Sequence, residues 1–75
     1  MNLIGVSLLN PRTGEFEEAT IDFDRVIIMQ EKMEYFTFTQ PHEKKLNLLV
    51  TNLRMGDNIS IYVKQTIDQL KVRAS

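Results

Sequence analysis

The spacing of apolar residues changes at Gly56-Asp57. No other feature of the sequence restricts the possible folds of the chain as strongly. Before this change, apolar and polar residues mostly alternate, as in Ile21-Asp22-Phe23-Asp24 and Leu46-Asn47-Leu48. After it, from Ile59 to Leu70, apolar residues fall mainly at helical spacing. Alternation is typical of a strand with one buried face, and the longer period is typical of an amphipathic helix. The pattern therefore predicts an α+β fold, a small antiparallel sheet of four to five strands with a C-terminal amphipathic helix.

Turn-forming and polar residues divide the first part of the chain into strands. Residues 3–9 precede Asn10-Pro11-Arg12-Thr13-Gly14, a turn sequence that predicts a hairpin returning through residues 15–23. Val26-Ile27-Ile28-Met29 is apolar on both faces, which indicates either a covered central strand or a bulge that shifts the alternation. Beyond the polar interruption Gln30-Glu31-Lys32, we expect two further strands, at residues 33–39 and 44–51.

Residues 58–72 fit two structures. As a helix, the segment places six residues on one stripe and begins at an N-cap on Asp57 or Asn58. As a strand, residues 59–64 alternate, and their β-branched side chains favour extended structure. Gly56-Asp57-Asn58 would then be a hairpin turn, and the whole chain would be an all-β small barrel. The helix is the main prediction, and its stripe consists of Ile59, Tyr62, Val63, Thr66, Ile67 and Leu70.

The size of the chain predicts association. Its 75 residues make one small domain, residues 1–75, near the lower limit of independent folding. Small domains often gain stability from disulfides, from metals or from a partner chain. The sequence has no cysteine and one histidine, His42, which excludes disulfides, thiolate metal sites and a histidine zinc site within one chain. We therefore expect a homo-oligomer, in the first instance a dimer, with no metal and no cofactor.

No arrangement of residues in the sequence indicates catalysis. His42 has no neighbour in sequence that would make it a general base, and Ser7 and Ser60 lie outside any nucleophile motif. The three glycines are isolated from one another, so the sequence contains no phosphate-binding glycine loop. The sequence therefore predicts that the protein is not an enzyme and has no catalytic residues.

The first residues of the chain do not resemble a targeting segment. Met1-Asn2-Leu3-Ile4-Gly5 lacks the basic start of a signal peptide, and polar residues soon interrupt the apolar run. The run is also too short to span a membrane. We expect an intact cytoplasmic protein that does not associate with membranes, and the absence of cysteine agrees with a reducing compartment.

A single helix leaves much of the predicted sheet uncovered. A helix of about 15 residues is about 22 Å long, whereas four or five strands span about 19–24 Å, so one face of the sheet stays open. Monomers rarely expose contiguous apolar patches without a use. The leading hypothesis is a non-enzymatic interaction or regulatory module, of bacterial or viral origin, that binds another protein and self-associates. Its predicted apolar face consists of Val26, Ile28, Tyr35 and Leu49, with Leu53 as a further candidate.

The distribution of charge supports an alternative, a nucleic-acid-binding module. The net charge is −1, but residues 1–40 hold seven acids against three bases, and residues 41–75 hold three acids against six bases. In this alternative the bases contact phosphates while Tyr35 or Phe36 stacks on nucleobases. A third alternative, a barrel that binds a small ligand or carbohydrate, requires the all-β fold. The predicted phosphate contacts are Lys44, Lys45, Arg54, Lys64, Lys71 and Arg73.

Overall fold

A computed structural model of the protein describes residues 1–56 and 58–75. The described residues form one open antiparallel sheet in the order β2-β1-β5-β4-β3, with one helix packed against it. This architecture confirms the α+β prediction, and the sheet does not close into the alternative barrel. Within the same residues, no helix has the length and apolar content needed to cross a bilayer. The elements are β1 (Leu3–Leu9), β2 (Phe16–Asp22), a 3₁₀ turn (Phe23–Arg25), β3 (Val26–Phe38), β4 (Lys44–Met55), β5 (Ile59–Val63) and α1 (Ile67–Ala74).

The predicted N-terminal hairpin is confirmed. β1 and β2 pair along their whole length, from Leu3 opposite Asp22 to Leu9 opposite Phe16. The turn between them is closed by the backbone N–H of Gly14, which donates to the carbonyl oxygen of Asn10 at 2.9 Å. Gly14 has a φ of +77°, a conformation that glycine adopts without the steric cost of a Cβ.

The third strand is longer than the sequence predicted. Residues 33–39 were expected to form a strand separate from Val26-Ile27-Ile28-Met29, but β3 runs unbroken through both segments. The polar interruption stays in the sheet because Gln30, Glu31 and Lys32 pair with residues of β4. Of the two alternatives for the apolar run, the structure has the bulge, since the register with β4 shifts between Val26 and Ile28.

The segment after Gly56 contains both structures that its sequence allowed. Residues 59–63 form β5 and pair with β4, so the helix prediction is wrong there and right from Ile67 onward. The helix begins in a capping box, in which Thr66 Oγ1 accepts from the Gln69 backbone N–H and Gln69 Oε1 accepts from that of Thr66. Asn58, one predicted N-cap, instead lies in the β4–β5 turn with a φ of +64°. Asp57, the other predicted N-cap, lies outside the described residues.

The main core lies between the sheet and α1. We call this side of the sheet the helix face, defined by Ile4, Val6, Leu53 and Val63, which pack with Leu70 of the helix. All five side chains are buried. A helix with a single fully buried side chain depends on such packing, because eight residues are too few to form a stable helix alone.

Hydrogen bonds fix α1 at both ends. The backbone N–H of Ile67 donates to Glu31 Oε1 on β3 at 2.7 Å. At the other end, Arg73 Nη1 donates to the Gly5 carbonyl oxygen at 2.6 Å, and Asn2 Nδ2 donates to that of Ala74 at 2.7 Å. The helix therefore crosses the helix face diagonally, from β3 at its start to β1 at its end.

A buried glutamine continues the sheet where β5 stops. β5 pairs with β1 at one position, Leu8 opposite Val63, and the chain then leaves the sheet. The Gln65 side chain takes the place of further strand residues: its Oε1 accepts from the Ser7 N–H at 2.8 Å, and its Nε2 donates to Ser7 Oγ at 3.1 Å. On the other side, Thr51 Oγ1 donates to the Gln65 carbonyl oxygen at 2.6 Å.

The opposite side of the sheet carries a second, aromatic cluster. We call it the aromatic face, defined by Phe36, Phe38, Val50 and Tyr62. The Phe36 ring stacks against Phe38 at 5.6 Å between centroids and meets Tyr62 edge-on at 5.1 Å. Phe38 and Val50 are buried, and Phe38 contacts the β1–β2 turn at Gly14. Phe38 is therefore an interior residue, and the half-buried Phe36 packs against it.

We predict that Gly14→Ala destabilises the fold. A Cβ at Gly14 would lie 2.8 Å from two ring atoms of the buried Phe38 and would require a left-handed alanine. The expected loss in the free energy of unfolding is more than about 1 kcal/mol, measured by urea denaturation. The matched control is Gly5→Ala, where a Cβ would meet nothing within 4 Å. Equal effects of the two substitutions would contradict the proposed contact with Phe38.

The Asp22 carboxylate makes the stability of the folded state depend on pH. Its Oδ1 accepts from the backbone N–H groups of Asn2, at 3.0 Å, and Asp24, at 3.1 Å. These bonds, first that from Asn2, lower the pKa of the Asp22 carboxyl from its ordinary value of 3.8, although burial opposes them. Because the folded pKa is the lower one, the stabilisation is present above pH 3.8 and is lost as the pH falls through the folded pKa.

We predict that Asp22→Asn lowers the urea midpoint at pH 7 and that the difference from the wild type shrinks below pH 3.8. The amide keeps an acceptor oxygen but lacks the charge that the Asn2 and Asp24 N–H groups favour. Urea denaturation from pH 2.5 to pH 7 measures this, with the exposed loop substitution Glu43→Gln as the control. A difference that is constant over the whole range would refute the role of the ionised carboxylate.

Candidate functional site

An exposed apolar surface lies on the long hairpin formed by β3 and β4. Met33 pairs directly with Leu49, and Tyr35 lies on the same face two residues further along β3. Their exposed fractions are 62% for Met33, 67% for Leu49 and 61% for Tyr35. We call these three residues the hairpin patch. By the alternation of the strands they belong to the helix face, the same face that carries the main core.

The hairpin patch is exposed because the helix starts beside it and runs away from it. Ile67, the first residue of α1, is held at Glu31, whose partner on β4 is Thr51. The next pair on the same face, towards the tip of the hairpin, is Met33 and Leu49. The eight residues of α1 extend about 12 Å, and they extend towards β1. The helix therefore shields the sheet up to the Glu31 level and leaves the patch uncovered.

The structure brings together two of the four residues of the predicted apolar face. Tyr35 and Leu49 share the hairpin patch, whereas Ile28 pairs with Arg54 on the opposite face. Val26 is half-buried and packs against the main core, which removes it from the free surface. The further candidate Leu53 is fully buried in that core, so its assignment to an open face is wrong.

Met33 belongs to the patch although it was not among the predicted residues. Its signal was present in the sequence, because Met33 and Tyr35 are two residues apart on one strand and must share a face. Val26 precedes the bulge, so counting residues from Val26 does not show which face of β3 Tyr35 occupies. The position of the bulge thus determined which apolar residues could meet.

β3 is also an edge strand, and its outer edge borders the hairpin patch. Among the described residues it pairs with β4 alone, which leaves one side of a 13-residue strand without a neighbour. Long unpaired edges are templates for another strand. Two charged residues lie at the centre of this edge, where Lys32 Nζ and Glu34 Oε1 form an ion pair at 3.1 Å on the aromatic face.

The six predicted phosphate contacts do not form one surface. Lys44 and Arg54 are ten residues apart on β4, which corresponds to about 33 Å along the strand. Lys44 lies 5.9 Å above the Phe38 ring, and Lys64 lies 5.9 Å above that of Phe16, so both ammonium groups have aromatic partners. Arg73 is bound to the carbonyl oxygen of Gly5. The remaining two are Lys45 at the start of β4 and Lys71 on α1.

A polar groove of about 630 Å³ crosses β1 and β2 next to α1. Two of its polar side chains are engaged, since Gln65 bonds Ser7 and Arg73 bonds the Gly5 carbonyl oxygen, and Glu18 and Thr20 also line it. Across residues 1–56 and 58–75, no group of three or more His, Asp or Glu side chains could hold a metal ion. His42 is exposed in the loop between β3 and β4.

Comparison of the chain with models of known protein families, with curated proteins and with solved structures found no match.

Proposed function

We propose that the protein is a non-enzymatic protein–protein interaction module, a small regulatory or assembly subunit that self-associates. The observation that carries this proposal is the hairpin patch, which presents Met33, Tyr35 and Leu49 to solvent side by side. The cytoplasmic location expected from the sequence belongs to the same proposal.

The energetics of the patch support association. Burying an exposed methionine, leucine or aromatic side chain contributes about 1.5–3 kcal/mol, so the three residues together offer several kcal/mol to a partner. Monomers seldom leave such residues contiguous and exposed. The patch also lies on two long paired strands, a rigid support that lowers the entropic cost of binding.

The state of the polar side chains supports a binding role over a catalytic one. The groove next to α1 has its glutamine and arginine committed to backbone and hydroxyl groups of β1. Every buried side-chain nitrogen and oxygen among the described residues has a hydrogen-bond partner. Active sites, in contrast, present convergent polar groups that are free to meet a substrate.

We predict that Leu49→Lys abolishes or strongly weakens self-association without unfolding the protein. A charge in the patch, directly beside Met33, would lose part of its hydration on binding, whereas in the free chain it stays in water. The expected increase in the dissociation constant is at least about tenfold, for a loss of about 1.4 kcal/mol or more. Light scattering across a dilution series measures the mass, and circular dichroism checks the fold.

The matched control is Val72→Lys, which makes the same change of charge at a side chain that is 72% exposed on α1, away from the hairpin. It should associate as the wild type does. Val26→Glu is not a suitable test, because Val26 packs against the core. A wild-type chain that is monomeric at all concentrations would refute self-association, and equal weakening by Leu49→Lys and Val72→Lys would refute the assignment of the patch.

A further inference from the structure

The free edge of β3 can accept a strand, and a second copy of β3 is a strand of the same length. When two identical strands pair antiparallel around a two-fold axis, one residue lies opposite its own copy. Residues at equal distances on either side of it then face each other, with their side chains on the same face of the joined sheet. The identity of the central residue therefore fixes every cross-strand pair.

The charged side chains of β3 exclude most of its central residues from the two-fold axis. An axis at Glu31, Lys32 or Glu34 would place a charge directly opposite the same charge, which is destabilising. An axis at Gln30 would set Lys32 opposite Ile28, and an axis at Tyr35 would set Glu34 opposite Phe36. Each of these axes would place a charge against an apolar side chain and would create no opposite-charge pair to offset it.

Of the axes at residues 30–35, the one at Met33 is the one that creates opposite-charge pairs. It also sets Glu31 opposite Tyr35 of the second copy, and Glu31 already accepts a hydrogen bond from the Ile67 N–H of its own chain. Lys32 then faces Glu34 of the second copy, and Glu34 faces Lys32 of the second copy, which makes two opposite-charge pairs. In each chain the same two residues already form an ion pair at 3.1 Å, so four alternating charges would meet at the axis. Opposite charges directly across neighbouring strands are favourable, and the arrangement is self-complementary.

The same register joins the apolar surfaces. Met33 of one chain lies opposite Met33 of the other, on the face that carries the hairpin patch. Met33 packs against its own copy, and the neighbouring Leu49 lies one strand in from the joined edge in each chain, so the apolar side chains form a row across the axis, from Leu49 through the two copies of Met33 to the second Leu49. Backbone hydrogen bonds along the edge supply affinity, and the side chains supply the register.

We infer that the partner is a second copy of this chain, paired antiparallel along the outer edge of β3 with Met33 on the two-fold axis. The inference rests on the proposed function, because it names the partner and the register of the self-association proposed above. The dimer joins the two sheets into one of ten strands, with five from each chain.

A charge-exchange experiment tests the register. Lys32→Glu alone gives two Glu–Glu pairs across the axis, and Glu34→Lys alone gives two Lys–Lys pairs. Each variant should dimerise about tenfold more weakly than the wild type, at about 0.7 kcal/mol for each of the two pairs. An equimolar mixture should regain wild-type affinity, because both cross-strand pairs are then Glu–Lys.

The mixture distinguishes the charge pairs between two chains from the ion pair within one chain. Each variant also lacks the Lys32–Glu34 ion pair of the monomer, and mixing two chains cannot restore a bond inside either of them. Recovery in the mixture therefore reports contacts between chains. Analytical ultracentrifugation of each variant and of the mixture, at matched total concentration, measures it.

Disulfide formation tests the axis directly. The chain has no cysteine, so Met33→Cys introduces a single thiol opposite its own copy, within the Cβ spacing of a directly opposed cross-strand pair. Tyr35→Cys is the matched control, since Tyr35 is 61% exposed and Met33 62%. In this register the two copies of residue 35 are about 13 Å apart. Under mild oxidation we expect a covalent dimer for Met33→Cys and none for Tyr35→Cys.

The outcomes distinguish the two proposals. A wild-type dimer that Leu49→Lys disrupts, without recovery in the charge-exchange mixture and without the Met33 disulfide, would overturn the β3 register and leave the interaction module standing. Equal cross-linking of the two cysteine variants would also overturn it. A wild-type chain that stays monomeric would overturn the register and the self-association together.

Discussion

The arrangement of the sheet and helix depends on the buried side chain of Gln65. The chain has to leave the sheet after Val63 to form α1, and this leaves the Ser7 N–H of β1 without a strand partner. The amide of Gln65 fills that position, and its backbone carbonyl accepts the hydroxyl of Thr51. An unsatisfied buried polar group costs about 1–3 kcal/mol, so these bonds allow a strand to end inside the sheet.

The exit at Gln65 also determines which surface stays exposed. Because the chain leaves β5 over Thr51 on β4, the helix starts at the level of Glu31 and runs back towards β1. The β3–β4 hairpin extends beyond Glu31, and at its far end Phe36 and Phe38 pack together on the aromatic face. One face of the hairpin is therefore well packed, while the other presents Met33, Tyr35 and Leu49. The candidate interaction surface is a consequence of helix placement.

The sequence predicted those parts of the fold in which one local signal dominates. The β1–β2 hairpin followed from its turn residues, and the bulge was one of the two structures that the apolar run from Val26 allowed. The boundary between β5 and α1 could not be located, because residues 59–63 satisfy both periods and cross-strand pairing decides between them. Tyr35 and Leu49 could be predicted as exposed apolar residues. Ile28 could not be assigned to the right face. A bulge changes the face on which the following residues lie, and the sequence does not mark the residue at which the bulge occurs.

The hydrogen bond between Asn2 and Ala74 spans 72 positions of the chain and has a kinetic consequence. The main core likewise joins Ile4 and Val6 with Val63 and Leu70, so neither half of the chain holds a complete core. Most of the loop-closure entropy must be lost before these contacts form. Folding is then expected to be cooperative and slow for a domain of this size, in the millisecond-to-second range of proteins rich in non-local pairing. A chain whose α1 has not docked leaves Ile4 and Val6 without the cover of Leu70, and this form is the one most exposed to aggregation.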